Sequence, residues 1–243
     1  MVCQENFSQK KESLPLFILH GWQSKKERWQ KVKKLLEEEG FQVIVPDLPG
    51  FKPQRELKKI WDLEDYSNWF FDFSQNFEKF FLLGHSFGGR VAIKFSRKYP
   101  QKVEKLILVA PGGILHQKTL KEKMILKFLP FLKKFSFLPG FVFLRKIFYK
   151  FFLKKTDYLK AKGYLKESFK KIVSEDLLSF LPDLKMPVFL IWGKKDKYLP
   201  FEDAYLMAKK IKKVKLKIFE NLGHNFHQQA PEILVKEIKE FLK

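Results

Sequence analysis

The sequence contains little cysteine and no long hydrophobic run. Cys3 is the single cysteine among 243 residues, so no disulfide can form within the chain, and the chain suits a reducing compartment. No spacing of Cys and His resembles a metal-binding motif, and we expect neither a metal nor a cofactor. No segment reaches the roughly 18 uninterrupted apolar residues of a membrane-spanning helix. These absences favour a globular protein that needs no bound group.

Composition and charge narrow the choice further. Residues 1–13 are polar and lack the apolar run of a signal peptide, which together with the lone cysteine predicts a cytoplasmic location. Hydrophobic residues make up 45% of the chain, and residues 1–243 suit one sizeable domain. The net charge is +21, but basic and aromatic residues are not interleaved as in nucleic-acid-binding motifs, so we expect no nucleic-acid partner.

Short apolar segments alternate with amphipathic helical segments along most of the chain. The predicted strands are 14–19, 42–45, 80–83, 105–109, 188–192 and 216–219. The predicted helices are 26–39, 66–76, one from the turn at 84–89 to residue 99, 201–211 and 231–242. Such alternation predicts an α/β protein with a mostly parallel sheet of about six strands and helices on both faces.

The most informative motif is Gly84-His85-Ser86-Phe87-Gly88. It joins the apolar strand segment Phe80–Leu83 to a helical pattern that includes Val91, Ala92, Ile93 and Phe95. A serine between two glycines at a strand-to-helix junction is the pattern of a nucleophile elbow. The motif makes Ser86 the candidate nucleophile.

An activated serine needs a base and an acid that orients the base, and the chain offers both farther along. Asp196 follows the predicted strand 188–192, and His224 follows the strand 216–219. Both therefore lie at the carboxyl ends of strands, on the same rim as Ser86. The order Ser, acid, His is that of one large group of serine enzymes. An alternative role for Asp196 is to cap the helix predicted at 201–211.

Five segments in register resemble α/β-hydrolases of the carboxylesterase, lipase and C–C hydrolase group. They are His20-Gly21-Trp22, Asp47-Leu48-Pro49-Gly50-Phe51, Gly84–Gly89, Trp192–Asp196 with Pro200, and Gly223-His224 with Pro231-Glu232. The resemblance implies the α/β-hydrolase fold, with Ser86 as nucleophile, His224 as base and Asp196 as acid. It also implies an oxyanion hole formed by the backbone N–H groups of Trp22 and Phe87.

Other histidines and another aspartate could serve as base or acid, and their positions in the sequence distinguish them from His224 and Asp196. His227, three residues beyond His224, is the main rival as base, whereas His20 and His85 are expected to pack or to bond locally. His116 falls in the middle of the chain, outside the matching segments. Among acids, Asp47 ends an earlier strand but stands beside a Pro-Gly turn.

Residues 113–183 lack strand alternation and are predicted to form a helical cap over the catalytic rim. From Gly112 to Asp183 there are 16 Lys and Arg against 6 Asp and Glu, about half of the net charge of the chain. Within Phe141–Lys155, aromatic and basic residues recur on opposite sides of a helical pattern, as in helices that lie on anionic membranes. The alternative is a compositional excess of Lys and Phe, which runs through the whole chain. Weak association with an anionic membrane surface therefore stays open.

The expected activity is hydrolysis of a small-to-medium hydrophobic ester or thioester through an acyl-enzyme. The Ala110-Pro111-Gly112-Gly113 segment is similar to that of hydrolases that cleave carbon–carbon bonds of ring-fission diketones. Those enzymes usually carry Trp after the base and Asn before the nucleophile, where this chain has Asn225 and His85. Acyl transfer or peroxidase chemistry on the same triad is a further alternative. A non-catalytic binding module on the same scaffold is another.

Overall fold

The computed structural model describes residues 14–51, 56–116 and 163–243. Six strands form one sheet in the order β2-β1-β3-β4-β5-β6, and every neighbouring pair is parallel. The strands are β1 Leu16–Leu19, β2 Val43–Ile44, β3 Phe80–His85, β4 Val103–Val109, β5 Val188–Gly193 and β6 Val214–Phe219. The predicted α/β class and the predicted number of about six strands are confirmed.

Helices connect the strands, as parallel pairing requires. The α-helices within the described residues are α1 Gln30–Glu38, α2 Leu63–Phe73, α3 Phe87–Lys98, α4 Gly163–Ser174, α5 Glu202–Lys210, α6 Phe226–Gln229 and α7 Pro231–Leu242. Short 3-10 helices lie at Lys26–Trp29, Pro100–Lys102 and Leu178–Asp183.

The sheet separates two hydrophobic clusters, which confirms that helices cover both of its faces. Along β1, Phe17 and Leu19 point into one cluster, while Leu16 and Ile18 point into the other. This alternation follows from the two-residue period of a strand. The first cluster also contains buried side chains of α2, α3 and α5, and the second contains those of α1 and α7. Both faces are buried along β1 and β5, which explains why these two strands are apolar, whereas the edge strand β6 is partly exposed and carries Lys215 and Lys217.

The predicted helix over 66–76 begins earlier, at Leu63. Asp62 caps it: its carboxylate accepts from the Asp65 N–H over 3.0 Å, and the Asp65 carboxylate accepts from the Asp62 N–H over 3.0 Å. This reciprocal pair satisfies two backbone donors of the first turn. The spacing of apolar residues places the start of this helix too late, because the acidic residues Glu64 and Asp65 follow Leu63 and interrupt the apolar pattern.

The predicted helical cap at 113–183 lies largely outside the described residues, as does the basic segment Phe141–Lys155. The described part consists of residues 113–116, α4 and the chain after α4. The two ends of the segment are tied together, because the Leu177 N–H donates to the Gly113 carbonyl over 2.7 Å. None of the described helices combines the length and the apolar character needed to cross a membrane.

Parallel pairing places the carboxyl ends of all six strands along one edge of the sheet. The turn at Ser86 follows β3, the loop with Asp196 follows β5, and the loop with His224 follows β6. Trp22 follows β1 at the same edge. Ligands of open α/β sheets bind at this edge, and the candidate site is therefore assembled there.

Candidate active site

Ser86 occupies a sharp turn between the end of β3 and the start of α3. Its backbone angles, φ 53° and ψ −112°, lie in a region that residues other than glycine rarely adopt. The Ser86 N–H donates to the Val109 carbonyl over 3.1 Å, and the Ser86 carbonyl accepts from the Gly112 N–H over 3.0 Å. Such strain persists only where neighbouring contacts enforce it, and it concentrates at functional sites.

The turn requires glycine on both sides of Ser86. A Cβ on Gly84 would lie 2.7 Å from the Cα of Gly89, and a Cβ on Gly88 would overlap the carbonyl group of Leu19. Any larger residue at these two positions would push β3, α3 and β1 apart. The spacing of the G-x-S-x-G motif therefore reflects the close approach of three backbone segments at the serine.

The side chains of Ser86, His224 and Asp196 form a continuous chain of hydrogen bonds. His224 Nε2 lies 3.0 Å from Ser86 Oγ, and His224 Nδ1 lies 2.7 Å from Asp196 Oδ2. Because a carboxylate can only accept, Nδ1 carries the proton of the neutral ring, and Nε2 is free to accept from the serine hydroxyl. This is the geometry in which a histidine can activate a serine.

The carboxylate of Asp196 is held by the backbone as well as by His224. Its Oδ1 accepts from the N–H groups of Tyr198 and Leu199, over 2.8 Å and 3.0 Å. The Asp196 side chain is fully buried, whereas that of His224 is 11% exposed. The alternative role as a helix cap does not fit, because α5 begins at Glu202, well beyond Asp196. Both oxygens are thus committed, and one of them orients the histidine.

Trp22 and Phe87, the predicted oxyanion-hole residues, lie side by side next to Ser86. Their rings are 5.2 Å apart in an edge-to-face arrangement. Phe87 is the first residue of α3, where a backbone N–H has no partner inside the helix. Neither the Trp22 N–H nor the Phe87 N–H donates to any group in the described part of the chain. The assignment of these two N–H groups to an oxyanion hole stays a prediction.

Four aromatic rings pack together around Trp22, next to the elbow. The Trp22 ring lies 4.9 Å from that of Phe51 and 4.8 Å from that of Phe169, which belongs to α4. Phe51 in turn lies 5.7 Å from Phe87. This group of four rings, hereafter the aromatic wall, joins the loops after β1 and β2 to the elbow and to α4. The surface that it presents is apolar.

His227, the predicted rival base, is not bonded to Ser86. Its ring is 2% exposed and stacks on Trp29, with centroids 4.3 Å apart and planes 4° apart. Burial, with smaller contributions from the nearby His224 and Arg28, lowers the pKa of His227 to about 3. Its two ring nitrogens bond to no other group in the described ranges. The geometry thus favours His224 over His227.

The three other histidines bond to groups outside the Ser86–His224–Asp196 chain of hydrogen bonds. His20 Nδ1 donates to the Gly21 carbonyl over 2.9 Å, and its Nε2 accepts from the Leu48 N–H over 3.2 Å. His85 Nε2 donates to the backbone carbonyl of His224 over 2.9 Å. His116 Nε2 lies 2.9 Å from the buried carboxylate of Asp203. His20 thus bonds to its neighbour Gly21, as expected, whereas the bond of His85 reaches the loop of His224, 139 positions away in the chain.

The carboxylate bonded to the His224 ring is that of Asp196, and the alternative acid, Asp47, pairs with a lysine. Its carboxylate lies 3.5 Å from Lys26 Nζ. No group of three or more His, Cys, Asp and Glu side chains capable of holding a metal ion occurs in 14–51, 56–116 and 163–243.

Gln229 and Arg90 support the site, although no sequence motif marks them. Gln229 Oε1 accepts from the Gly223 N–H over 2.8 Å, directly before His224. Arg90 is 8% exposed, and its Nη1 donates to the carbonyls of Ile172 and Glu175, each over 3.0 Å. Burial lowers the pKa of Arg90 to about 10.

Comparisons with known proteins identify the family to which the chain belongs. A family model described as the alpha/beta hydrolase fold matches residues 15–158. The chain is 25% identical to mouse monoacylglycerol lipase ABHD6 over 252 residues, a match that covers 93% of this chain and 75% of that protein. Human monoacylglycerol lipase ABHD6 is 26% identical, with 93% and 74% covered.

Solved structures share the fold at lower identity. An esterase from Exiguobacterium antarcticum superposes with a TM-score of 0.73 at 23% identity, covering 95% of this chain and 92% of that chain. A bacterial membrane phospholipase A, described as a virulence factor, superposes with a TM-score of 0.72 at 22% identity, covering 96% and 79%. The family match spans more than half of the sequence, and the chain belongs to the alpha/beta hydrolase fold family.

Proposed function

We propose that the protein is a serine hydrolase that cleaves small-to-medium hydrophobic esters or thioesters through an acyl-enzyme. The observation that carries the proposal is the hydrogen-bond chain from Ser86 Oγ through the His224 ring to Asp196, with steps of 3.0 Å and 2.7 Å. Both distances lie in the range expected between a nucleophile, its base and the group that orients the base.

In the proposed acylation step, Ser86 Oγ attacks the carbonyl carbon of the ester while His224 Nε2 takes the hydroxyl proton. The buried carboxylate of Asp196 stabilises the imidazolium that forms. The negative charge on the former carbonyl oxygen is stabilised by the backbone N–H groups of Trp22 and Phe87. His224 then gives its proton to the leaving alcohol or thiol, and the acyl group stays on Ser86.

In the proposed deacylation step, His224 accepts a proton from a water molecule as the water attacks the acyl carbon. A second oxyanion forms in the same position and collapses, which releases the carboxylic acid and returns the proton to Ser86. Each donor of an oxyanion hole contributes on the order of 10² to 10³ in rate. Trp22 and Phe87 are therefore expected to matter through their backbones, and their side chains through packing.

The aromatic wall supports an apolar acyl group as the substrate portion beside Ser86. Apolar surface of this kind binds hydrocarbon in proportion to the area that it covers. Relatives described as monoacylglycerol lipases and a structural neighbour described as an esterase support the same bond type. Monoacylglycerols with short or medium acyl chains are therefore the first natural esters to test.

The alternative reactions share this triad and differ in what reaches the acyl-enzyme. Carbon–carbon cleavage of ring-fission diketones stays the second candidate chemistry, and acyl transfer or peroxidase chemistry the third. A non-catalytic binding module is disfavoured by the intact hydrogen-bond chain at Ser86. The cytoplasmic location and the single domain with a cap at 113–183 remain predictions. Membrane-surface association also remains one, because it depends on residues outside the described ranges.

A panel of p-nitrophenyl esters of increasing acyl length tests the proposal, with Ser86→Ala as the control. We expect hydrolysis by the wild type and a loss of at least a thousandfold in kcat for the variant, because the nucleophile is removed. A fluorophosphonate probe should label the wild type and leave Ser86→Ala unlabelled. Ester hydrolysis or labelling that persists in Ser86→Ala would reject Ser86 as the nucleophile.

A further inference from the structure

His85 connects the nucleophile to the loop that carries the base. It is the last residue of β3, directly before Ser86, and it is 3% exposed. Its Nε2 lies 2.9 Å from the backbone carbonyl oxygen of His224. A carbonyl oxygen can only accept, so Nε2 carries the ring proton and donates it. One side chain thus joins two residues that are 139 positions apart in the chain.

Besides this bond, a few backbone hydrogen bonds hold the loop around His224, among them one from the Lys195 N–H to the Leu222 carbonyl over 2.9 Å. His224 lies between β6 and the single-turn helix α6, outside regular structure. Before it, the Gly223 N–H donates to Gln229 over 2.8 Å. After it, the His224 carbonyl accepts from His85. The backbone is therefore held on both sides of the histidine, and only the second tie reaches the strand that carries Ser86.

The His85 ring also contacts the loop after β1. A Cβ on Gly21 would lie 3.1 Å from His85 Nδ1, so the ring packs against the residue that precedes Trp22. A single ring thus touches the elbow strand, the base loop and the loop of the proposed oxyanion hole. The His85 ring therefore lies between the proposed nucleophile, base and oxyanion hole, and the relative positions of these three parts determine the geometry of the reaction.

We propose that His85 is a positioning residue: through its hydrogen bond to the backbone carbonyl of His224, it holds the base at attacking distance from Ser86. The proposal rests on the proposed function, because it gives His224 the role of base. A displacement of about 1 Å in a catalytic group can cost on the order of 10² in rate. A hydrogen bond that fixes the base loop to β3 therefore acts on kcat more than on substrate binding.

The surroundings keep the His85 ring uncharged. Its ring lies 4.7 Å from that of His227 and 4.9 Å from that of His224, and His20 is also near. Burial, with further contributions from His227, His224 and His20, holds the pKa of His85 well below its usual range. A neutral ring adds no positive charge beside the imidazolium that forms on His224 during the reaction.

Two variants separate the hydrogen bond from the volume of the side chain. His85→Gln keeps an N–H donor near the position of Nε2, whereas His85→Met has a similar length and no donor. We expect His85→Met to lower kcat and the rate of fluorophosphonate labelling about tenfold to a hundredfold, with KM nearly unchanged. His85→Gln should stay within about threefold of the wild type, because the donor is retained.

The matched control is the pair His227→Gln and His227→Met. His227 is also buried beside His85, but it makes no bond to the base loop in the described structure. For each position, kcat of the Gln variant is divided by kcat of the Met variant. If the bond from His85 matters, this ratio should be large at position 85 and close to one at position 227. Similar ratios at both positions would assign the effect at position 85 to packing and overturn the proposal.

A readout that does not need turnover completes the test. The His224 Nδ1 proton, held against the Asp196 carboxylate, should give a far-downfield proton NMR signal, identified by its absence in His224→Gln. We expect this signal in the wild type and in His85→Gln, and expect it to broaden in His85→Met. A signal unchanged in His85→Met would contradict the proposal. If the fluorophosphonate probe does not label the wild type, the proposed function is rejected. The NMR signal of the His224 Nδ1 proton would still decide whether His85 positions His224.

Discussion

Asp196 and His224 lie 28 positions apart in the chain, and 2.7 Å separates Asp196 Oδ2 from His224 Nδ1. The aspartate is fully buried, and its other oxygen is occupied by the backbone N–H groups of Tyr198 and Leu199. The carboxylate can therefore neither rotate away nor pair with a surface lysine. In the proposed mechanism, this rigidity keeps the His224 ring in the tautomer that accepts from Ser86.

The first prediction compares substitutions of the acid, the base and the rival histidine. We expect His224→Ala and Asp196→Asn each to lower kcat by several orders of magnitude, the first by removing the base and the second by favouring the wrong tautomer. His227→Ala should cost much less, because His227 packs on Trp29 and does not contact the serine. The measurement is kcat on one p-nitrophenyl ester. A larger loss in His227→Ala than in His224→Ala would reassign the base.

The second prediction concerns the pH dependence of stability. The pKa of His227 is about 3 in the folded protein, against about 6.5 in an unfolded chain. Below pH 6.5 the unfolded state therefore binds a proton that the folded state does not. The contribution of His227 to the free energy of unfolding is complete above pH 6.5. As the pH falls from 6.5 towards 3, the free energy of unfolding decreases by up to about 1.4 kcal/mol for each pH unit. His85, whose pKa is also lowered, acts in the same direction.

Urea unfolding at pH 7 and pH 5 measures this effect, with His227→Phe as the test variant. Phenylalanine retains a flat ring against Trp29 and cannot take up a proton. We expect the free energy of unfolding to fall less between pH 7 and pH 5 in the variant than in the wild type. An equal fall in both proteins would show that His227 does not titrate on unfolding.

The third prediction concerns two arginines of α3. Arg90 is buried and donates to the Ile172 and Glu175 carbonyls at the end of α4, whereas Arg97 pairs with Asp183 on the surface at 2.8 Å. Arg90→Met leaves two carbonyls without their charged donor and should lower the free energy of unfolding by about 2–3 kcal/mol. Arg97→Met should cost less than about 1 kcal/mol, as exposed ion pairs do.

Urea unfolding of the two variants at neutral pH tests this difference. The result bears on the site because α4 also carries Phe169 of the aromatic wall. Equal losses in the two variants would mean that the buried arginine does not hold α4 to α3.

The candidate site residues could be proposed from the sequence because they follow local patterns. Ser86 directly follows β3, Asp196 and His224 lie within a few residues of the ends of β5 and β6, and parallel strands bring their carboxyl ends to one edge. Short apolar runs also locate the inner strands of the sheet, because β1, β3 and β5 are buried along nearly their whole length. Boundaries depend on single residues instead, as the Asp62–Asp65 pair at the start of α2 demonstrates.

The supporting contacts could not be predicted in the same way. The bond from His85 to the His224 carbonyl joins distant parts of the chain through a backbone group, which leaves no trace in residue identity. Arg90 resembles an ordinary surface residue of a helix until α4 is placed over it. The aromatic wall could not be predicted either, because Phe169 lies in a segment rich in Phe and Lys, and composition does not identify which ring contacts Trp22.

The last prediction concerns substrate length and the aromatic wall. Each buried methylene adds about 0.8 kcal/mol of binding, so kcat/KM should rise with acyl length until the apolar surface is filled and then fall. Phe169→Ala removes the ring that lies 4.8 Å from Trp22 and should move the maximum towards longer chains. Activity on the shortest esters should fall at the same time, because less surface contacts them.

Phe241→Ala is the control, since that ring packs on Phe189 on the opposite face of the sheet. The measurement is kcat/KM across p-nitrophenyl esters from acetate upwards, and then across monoacylglycerols. An unchanged maximum in Phe169→Ala would exclude this ring from the acyl pocket. A rate that rises without limit on long chains, and increases further on anionic vesicles, would favour an enzyme that works at a lipid surface. Long acyl chains would then be the preferred substrates, and the proposal of a small-to-medium ester would be wrong.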